Sequence, residues 1–396
     1  FLTAYALAAA SDWLQGAYLY ALYRDEHHVK PAVIPLLFAT GFVASAVSGA
    51  FIGSWADRYG RKRACMGFCA VYALSCFFTT TTTSIAPWFG GVGLAGLVLG
   101  RVLGGVGTGL LFCAFDSWFV GDLRVQGLGD GEEEEMGRVF GMMSSLNSLV
   151  AIVCGVASEA IVGLTGTRKA PFWAAIGVLG LAAVVIAASW EENYGQKGGE
   201  QAGKKKDNTA KNKLWTILSN PRVLALGAAS TVFEGSMYLF VFFWTPALKS
   251  VHSSQGELPY GIIFSSFMAA TLASSLAFNM ITEWRLIDHS SLLVAIMGTS
   301  AVCFLLSSSP LSEQSAFWVF CFFEAAVGMY WPCMGFLKGK LIEDGVRAQV
   351  YAMLRIPLNI FVVVSLLFTG GGDTYGRVFL VCSTLLLAST GTLWAL

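Results

Sequence analysis

Ionisable residues inside long apolar runs are the groups in this sequence best placed to do chemistry. A charged side chain facing lipid at the centre of a membrane helix costs about 2.5–3.5 kcal/mol, so such residues usually face a polar interior or a ligand. This setting holds Asp12, Arg101, Asp116, Glu159, Glu234, Glu324 and Arg355. They indicate either a site for a charged solute or a buried set of ion pairs.

Two arginines stand out because one lies near the middle of an apolar run in each half of the chain. The guanidinium groups of Arg101 and Arg355 are rigid forks of donors that suit an oxyanion. An anion held by both would connect the two halves. The predicted substrate-binding residues are these two arginines and the neutral donors Gln15, Tyr18, Asn147, Tyr238 and Asn359.

Three acids also lie near the middle of their runs. Asp12, Glu234 and Glu324 would repel an anion unless they are protonated or paired with the arginines. The sequence therefore predicts a coupling or charge-pairing role for them, with protons as a possible coupling ion. Asp116 and Glu159 lie nearer the ends of their runs, which favours a gating or structural role.

The composition places these residues in a membrane protein. The 396 residues are 55% hydrophobic and 13% charged, with a mean hydropathy of +0.64, whereas a soluble domain has about 25% charged residues. Runs of roughly 20 apolar residues span a bilayer as helices. Twelve are predicted, at 2–23, 32–55, 64–85, 90–120, 137–164, 171–190, 221–247, 260–282, 290–309, 315–337, 347–369 and 376–396.

The polar stretch 191–213 predicts a cytoplasmic linker between two six-helix bundles, 1–190 and 214–396. Weak matches, such as Leu146-Asn147 with Leu358-Asn359, indicate that the bundles are pseudo-symmetric. The acidic run 132–135 is expected to be a solvated loop. Most of the 25 Lys and Arg residues lie on the side of residues 53–63, which predicts that this side and both termini are cytoplasmic. Since the sequence starts at Phe1 and ends in an apolar run, we expect tails beyond it.

Other patterns exclude several functions. The nine cysteines lie in apolar runs without a CxxC pair, and the four histidines lie in or near loops, so neither a disulfide framework nor a metal site is indicated. The GxGxxG pattern at 91–96 has no preceding strand, which favours helix packing over a nucleotide loop. With no hydrolase or Walker motif and a net charge of zero, we expect no enzyme, cofactor or nucleic-acid partner.

Residues 53–63, GSWADRYGRKR, cannot lie in hydrocarbon and predict a tight turn at a membrane surface. Their pattern resembles the loop between helices 2 and 3 of major facilitator superfamily transporters. The resemblance implies an all-α, twelve-helix major facilitator fold. It also implies that Gly53, Asp57, Arg58, Gly60 and Arg61 stabilise one gate state, with Asp57 near the N-terminus of the eleventh span, where a helix dipole favours an acid.

Further stretches resemble the eukaryotic molybdate-anion transporter family, namely 9–15, 18–20, 191–194, 243–246, 261–270 and 355–358. This resemblance implies uptake of molybdate, a tetrahedral dianion, across a cell membrane, and we expect the plasma membrane. The counterpart of the turn in the second half, 282–288, departs strongly from the superfamily pattern. The fifth span also lacks the Gly-Pro of antiporter members.

The sequence thus predicts a secondary transporter that moves molybdate or a similar oxyanion by alternating access. Two alternatives stay open. Gln15, the tyrosines and the tryptophans also suit a sugar or another organic solute. A nutrient receptor with this fold would bind a solute without transporting it.

Overall fold

The computed structural model describes residues 1–85, 92–126, 132–194, 220–252, 256–309, 311–341, 347–368 and 375–394. Every regular element within these ranges is helical. The chain divides into two compact units. Unit 1 comprises Phe1–Lys197 and Pro259–Ser265, and unit 2 comprises Gly198–Leu258 and Ser266–Leu396.

The helices of unit 1 begin with α1, which continues into two short helical turns, Leu19–Ala21 and Leu22–Glu26. The long helices are α1 Leu2–Gly16, α2 Ile34–Tyr59, α3 Arg61–Ile85, α4 Val92–Gln126, α5 Glu132–Thr165 and α6 Ala170–Ser189. The acidic residues 132–135, which were expected in a loop, form the first turn of α5.

The remaining helices are α7 Pro221–Val251, α8 Tyr260–Glu283, α9 His289–Ser307, α10 Glu313–Leu341, α11 Arg347–Phe368 and α12 Tyr375–Trp394. Only the beginning of α8 belongs to unit 1. Ten of the described helices are long and apolar enough to cross a membrane, while α1 is shorter and α11 has an apolar stretch at Met353–Phe368. The prediction of an all-α membrane protein with twelve helical runs is confirmed.

Helix packing repeats from one unit to the other. In unit 1, α1 packs on α5 and α6, and α3 packs on α4 and α6. In unit 2, α7 packs on α11 and α12, and α9 packs on α10 and α12. Each of these helix pairs in unit 2 corresponds to a pair in unit 1 whose helix numbers are six lower. This correspondence is expected for a duplicated six-helix unit.

A single residue, Gly60, separates α2 from α3. Its φ of 112° is a backbone conformation that glycine adopts easily and other residues rarely do. A Cβ at this position would lie 2.5 Å from the carboxyl carbon of Glu192. Both the backbone conformation and this close approach therefore require glycine.

The first residues of the predicted linker pack on unit 1. The Glu192 carboxylate accepts the backbone N–H groups of Lys62 (2.8 Å) and Arg63 (3.2 Å), and the carbonyl of Asn193 accepts that of Arg61 (3.0 Å). The chain therefore caps the N-terminus of α3. Residues 192 and 193 thus pack on unit 1 and supply acceptors that α3 lacks, while the linker at 191–213 stays a prediction. Residues 195–213 lie outside the described residues.

Stacked aromatic rings fill the core of each unit. In unit 1, the rings of Trp118 and Trp190 stack at 3.8 Å, and the Trp118 indole donates to the Glu191 carbonyl at 2.9 Å. In unit 2, Phe233 stacks on Tyr330 at 3.9 Å. These contacts fix the helices that carry the ionisable residues.

Candidate functional site

Asp12, in α1, is the centre of a polar cluster in unit 1. The hydroxyl of Tyr72, on α3, donates a hydrogen bond to Asp12 Oδ1. The charge of Arg101, on α4, also acts on this carboxylate. Three helices therefore converge on one acid, which has the partners that an acid within a span requires.

A cavity of about 240 Å³ lies beside Asp12, between α1, α4 and α5. Its polar lining includes two acids and one amide. The lining residues are Tyr5, Ala9, Asp12, Trp13, Leu111, Phe112, Asp116, Met143, Ser144 and Asn147. Arg101 is not among them, so this cavity presents carboxylates rather than the guanidinium expected from the sequence. Asp116, predicted as a gate or structural residue, is a wall of the cavity.

Arg101 is half-buried and keeps one donor unused. Its Cζ lies 5.9 Å from the centre of the Tyr23 ring, a cation–π distance. Its Nε is buried and has no hydrogen-bond partner within the described part of the chain. A buried guanidinium nitrogen without an acceptor is costly, and an anionic ligand would satisfy it.

The predicted neutral donors of unit 1 have different surroundings. Gln15 is buried, and its Oε1 lacks a partner among the described residues. Asn147 lines the cavity and accepts a 2.9 Å hydrogen bond from the Trp13 indole through Oδ1. Tyr18 is buried and donates to Glu159 at 2.6 Å. Asn147 lines the cavity whereas Gln15 and Tyr18 do not, and the binding roles of all three stay predictions.

Contacts between residues of the turn at 53–63, which resembles the superfamily loop, stabilise its conformation. Arg61 Nε donates to Asp57 Oδ1 at 2.8 Å, and Arg61 Nη2 lies 2.6 Å from the same oxygen. Arg58 lies over the Tyr59 ring at 5.5 Å. A Cβ at Gly53 would lie 3.5 Å from Cys113 Sγ, so α2 passes close to α4 there. The gate role of Gly53, Asp57, Arg58, Gly60 and Arg61 stays a prediction.

Glu234 is the centre of a hydrogen-bond network in unit 2. Its Oε1 accepts from Ser230 Oγ at 2.6 Å and from Tyr330 Oη at 2.9 Å, and Lys338 Nζ lies 3.5 Å away. Glu234 is 6% exposed. The acid therefore has two hydroxyl donors and a cation close by, and its coupling or charge-pairing role stays a prediction.

Lys338 is a residue that the sequence reading missed. It was counted among the cytoplasmic loop cations because the predicted span stopped at 337. The structure extends α10 to Leu341, and the Lys338 side chain is only 16% exposed. The sequence did contain a signal that Lys338 belongs to the helix. Lys338 lies four residues after Met334 and eight after Tyr330, a spacing that puts all three on the same helix face.

The other predicted residues of unit 2 lie on α7, α10 and α11. Arg355 is exposed, and its charge acts on both Tyr238 and Lys338. Asn359 is half-buried, one helical turn after Arg355. Glu324 is 5% exposed, and its Oε2 accepts from Thr271 Oγ1 at 3.1 Å. Because Arg101 belongs to unit 1 and Arg355 to unit 2, a shared anion stays a prediction.

The chain has twelve helical runs, and several of them carry ionisable residues within the apolar part. This combination defines the class of protein: a membrane transporter of the major facilitator type. Solved structures share the fold. The nucleoside transporter NupG matches with a TM-score of 0.76 at 12% identity, covering 100% of this chain and 98% of that one. A D-xylose-proton symporter matches with a TM-score of 0.71 at 12% identity, covering 97% and 95%.

Sequence comparisons identify the family. A family model for sugar transporters with twelve transmembrane helices matches residues 1–317. Proteins named molybdate-anion transporter are 31% identical in Xenopus tropicalis and 32% identical in Danio rerio. They cover 98% of this chain, which in turn covers 83% and 84% of theirs. The chain belongs to the molybdate-anion transporter family, and it is a transporter rather than an enzyme.

Proposed function

We propose that this protein carries molybdate or a similar small oxyanion across a membrane by alternating access. Arg101 supports this proposal on structural grounds, because its buried Nε has no acceptor among the residues that the structure describes, and an oxyanion would supply one. The relatives over 98% of the chain are named for molybdate. Arg355 would bind the same anion from the second half, with Gln15, Asn147, Tyr238 and Asn359 as neutral donors.

The acids give the proposed carrier a route to proton coupling. Asp12 lines the cavity of unit 1 and lies within range of the Arg101 charge. A proton on Asp12 would leave more of the Arg101 charge for an anion, so proton and anion would bind together. We therefore expect uptake to rise as the external pH falls, and Asp12→Asn to remove that pH dependence. Uptake by this variant that still follows pH like the wild type would exclude Asp12 as the coupling group.

The proposed arrangement in the cell follows from the distribution of charge. Lys and Arg residues cluster on the side of the turn at 53–63, which supports cytoplasmic termini. We propose the plasma membrane as the location and the polar stretch 191–213 as the cytoplasmic linker between two six-helix bundles, 1–190 and 214–396. The turn itself would stabilise one gate state through Asp57 and Arg61.

A sugar or another organic solute is the second candidate. The matching family model is described as one of sugar transporters. The cavity of unit 1 presents Asp12, Trp13 and Asn147, a combination that suits hydroxyl groups and a ring face.

Uptake into proteoliposomes tests these alternatives. Labelled molybdate should accumulate, sulfate should compete, and glucose should not. Competition by glucose without effect of sulfate would favour the sugar carrier. Molybdate binding without net flux would indicate a receptor.

A further inference from the structure

The indole of Trp13, in α1, forms a hydrogen bond with the side-chain amide of Asn147, in α5. The indole nitrogen Nε1 lies 2.9 Å from Asn147 Oδ1. An indole N–H group can only donate, and of the two polar amide atoms only the oxygen can accept. The contact therefore fixes which way round the amide lies, with Oδ1 on the indole and Nδ2 turned away from it.

Both partners of this hydrogen bond line the cavity of unit 1, together with two acids. When ionised, Asp12 and Asp116 accept hydrogen bonds and repel an anion. A proton on Asp12 reduces this repulsion, but an anion in the cavity still needs N–H or O–H groups in place of those of water. Nδ2 of Asn147 has two N–H groups, whereas a hydroxyl group has one donor.

The Trp13 ring packs against the beginning of α8, which belongs to unit 1. Its centre lies 5.6 Å from that of the Phe264 ring. A Cβ at Gly155, two turns after Asn147 in α5, would lie 3.1 Å from Phe264 Cδ1. Phe264 thus lies against both the indole and the helix that carries the amide, and this packing holds the two hydrogen-bonding groups close to each other.

We propose that Trp13 is a positioning residue for anion binding, which turns the Asn147 amide so that Nδ2 donates to the transported oxyanion. With its carbonyl oxygen towards the ligand instead, the amide would repel an anion. The inference rests on the proposed function and adds Trp13, which acts through Asn147.

Equilibrium binding of molybdate to the purified full-length protein in nanodiscs tests the inference. Trp13→Phe keeps an aromatic ring but removes the N–H group, so the amide is free to turn over. The Kd for molybdate should rise about threefold to tenfold. Trp173→Phe is the matched control, because Trp173 is 51% exposed on α6, and it should leave the Kd within about twofold.

Substitution of Asn147 shows whether Trp13 acts through the amide. Asn147→Leu removes the N–H donors at similar size and should raise the Kd about tenfold, because a hydrogen bond to a charged group is lost. In the double variant Trp13→Phe/Asn147→Leu, the loss of the indole should add less than about twofold. If Trp13→Phe raises the Kd by the same factor with and without Asn147, the tryptophan acts by packing alone and the inference is overturned.

Asn147→Asp decides the question if the leucine variant does not fold. It keeps an acceptor for the indole but has no N–H donor when ionised and adds a negative charge. The Kd should therefore rise by more than about tenfold. An unchanged Kd would show that the amide does not donate to the anion and would overturn the inference.

The wild type separates this inference from the proposed function. Wild-type protein that neither binds nor transports molybdate or sulfate would overturn both. Wild-type binding, with an effect of Trp13→Phe that does not depend on Asn147, would overturn only the role of Trp13.

Discussion

The hydroxyl of Tyr18 donates a 2.6 Å hydrogen bond to Glu159, and the same carboxylate oxygen accepts the backbone N–H of Gly261 at 2.7 Å. Gly261 is the second residue of α8, so the acid lies at a helix N-terminus, where the dipole favours it. A Cβ at Gly261 would lie 2.3 Å from the carbonyl oxygen of Gly155. The beginning of α8 and helix α5 therefore approach closely in unit 1, with Glu159 as their polar link.

This link predicts a stability role for Tyr18 and Glu159. Glu159→Gln should destabilise the protein by about 1–3 kcal/mol, because it removes a charge-assisted acceptor. Tyr18→Phe should cost less, and the double variant should cost no more than Glu159→Gln alone, because the two groups act as one unit. Thermal unfolding in detergent measures all three. Fully additive losses would show that the hydrogen bond contributes no coupling.

Substitution of either arginine of the predicted site should reduce uptake. Arg101→Gln and Arg355→Gln should each lower molybdate uptake at low substrate by tenfold or more, since one charge-assisted hydrogen bond is worth about 1.5–3 kcal/mol. Arg222→Gln, at the exposed beginning of α7, is the control and should transport normally. Normal uptake in both folded arginine variants would remove them from the site.

The turn between α2 and α3 predicts a severe effect of one methyl group. Gly60→Ala should destabilise the protein by about 1–3 kcal/mol, since alanine rarely adopts a φ of 112° and its Cβ would collide with Glu192. Gly67→Ala is the matched control in α3, where a Cβ meets nothing within 4 Å, and it should be neutral or slightly stabilising. Thermal unfolding compares the two. Equal stability of both variants would contradict the geometry of the turn.

The contact between Glu313 and His252, which follows α7, predicts that the stability of the folded protein depends on pH. Its hydrogen bond with Glu313, at 2.9 Å, raises the pKa of His252 above its ordinary value, and the Gly256 carbonyl adds to this shift. A raised pKa means that the contact stabilises the folded state fully below pH of about 6.5, and that this contribution is lost as the pH rises through the folded-state pKa.

Unfolding temperatures of the wild type and Glu313→Gln should therefore differ at pH 5.5 and converge at pH 9. A difference that persists unchanged at alkaline pH would show that the contact does not depend on the imidazolium.

Apolar run length determined the helices from the sequence alone. A bilayer-spanning helix must be continuous and apolar wherever it lies in the fold, so α2 to α10 could be located without knowing their neighbours. The glycine at position 60 was also recognisable, because the turn needs it locally. The helix ends were harder to predict where charged residues lie inside a helix. This was the case in the first turn of α5 and at Lys338 in α10.

Only the tertiary structure decided which charges are paired. Tyr18 and Glu159 are separated by 141 residues, and Lys338 and Ser230 by 108. No local pattern links such residues, because hydrogen bonding depends on the distance between atoms and not on sequence spacing. The fold therefore showed that Asp12 and Asp116 line a cavity, that Glu192 caps α3, and that Lys338 shares Glu234 with two hydroxyl groups.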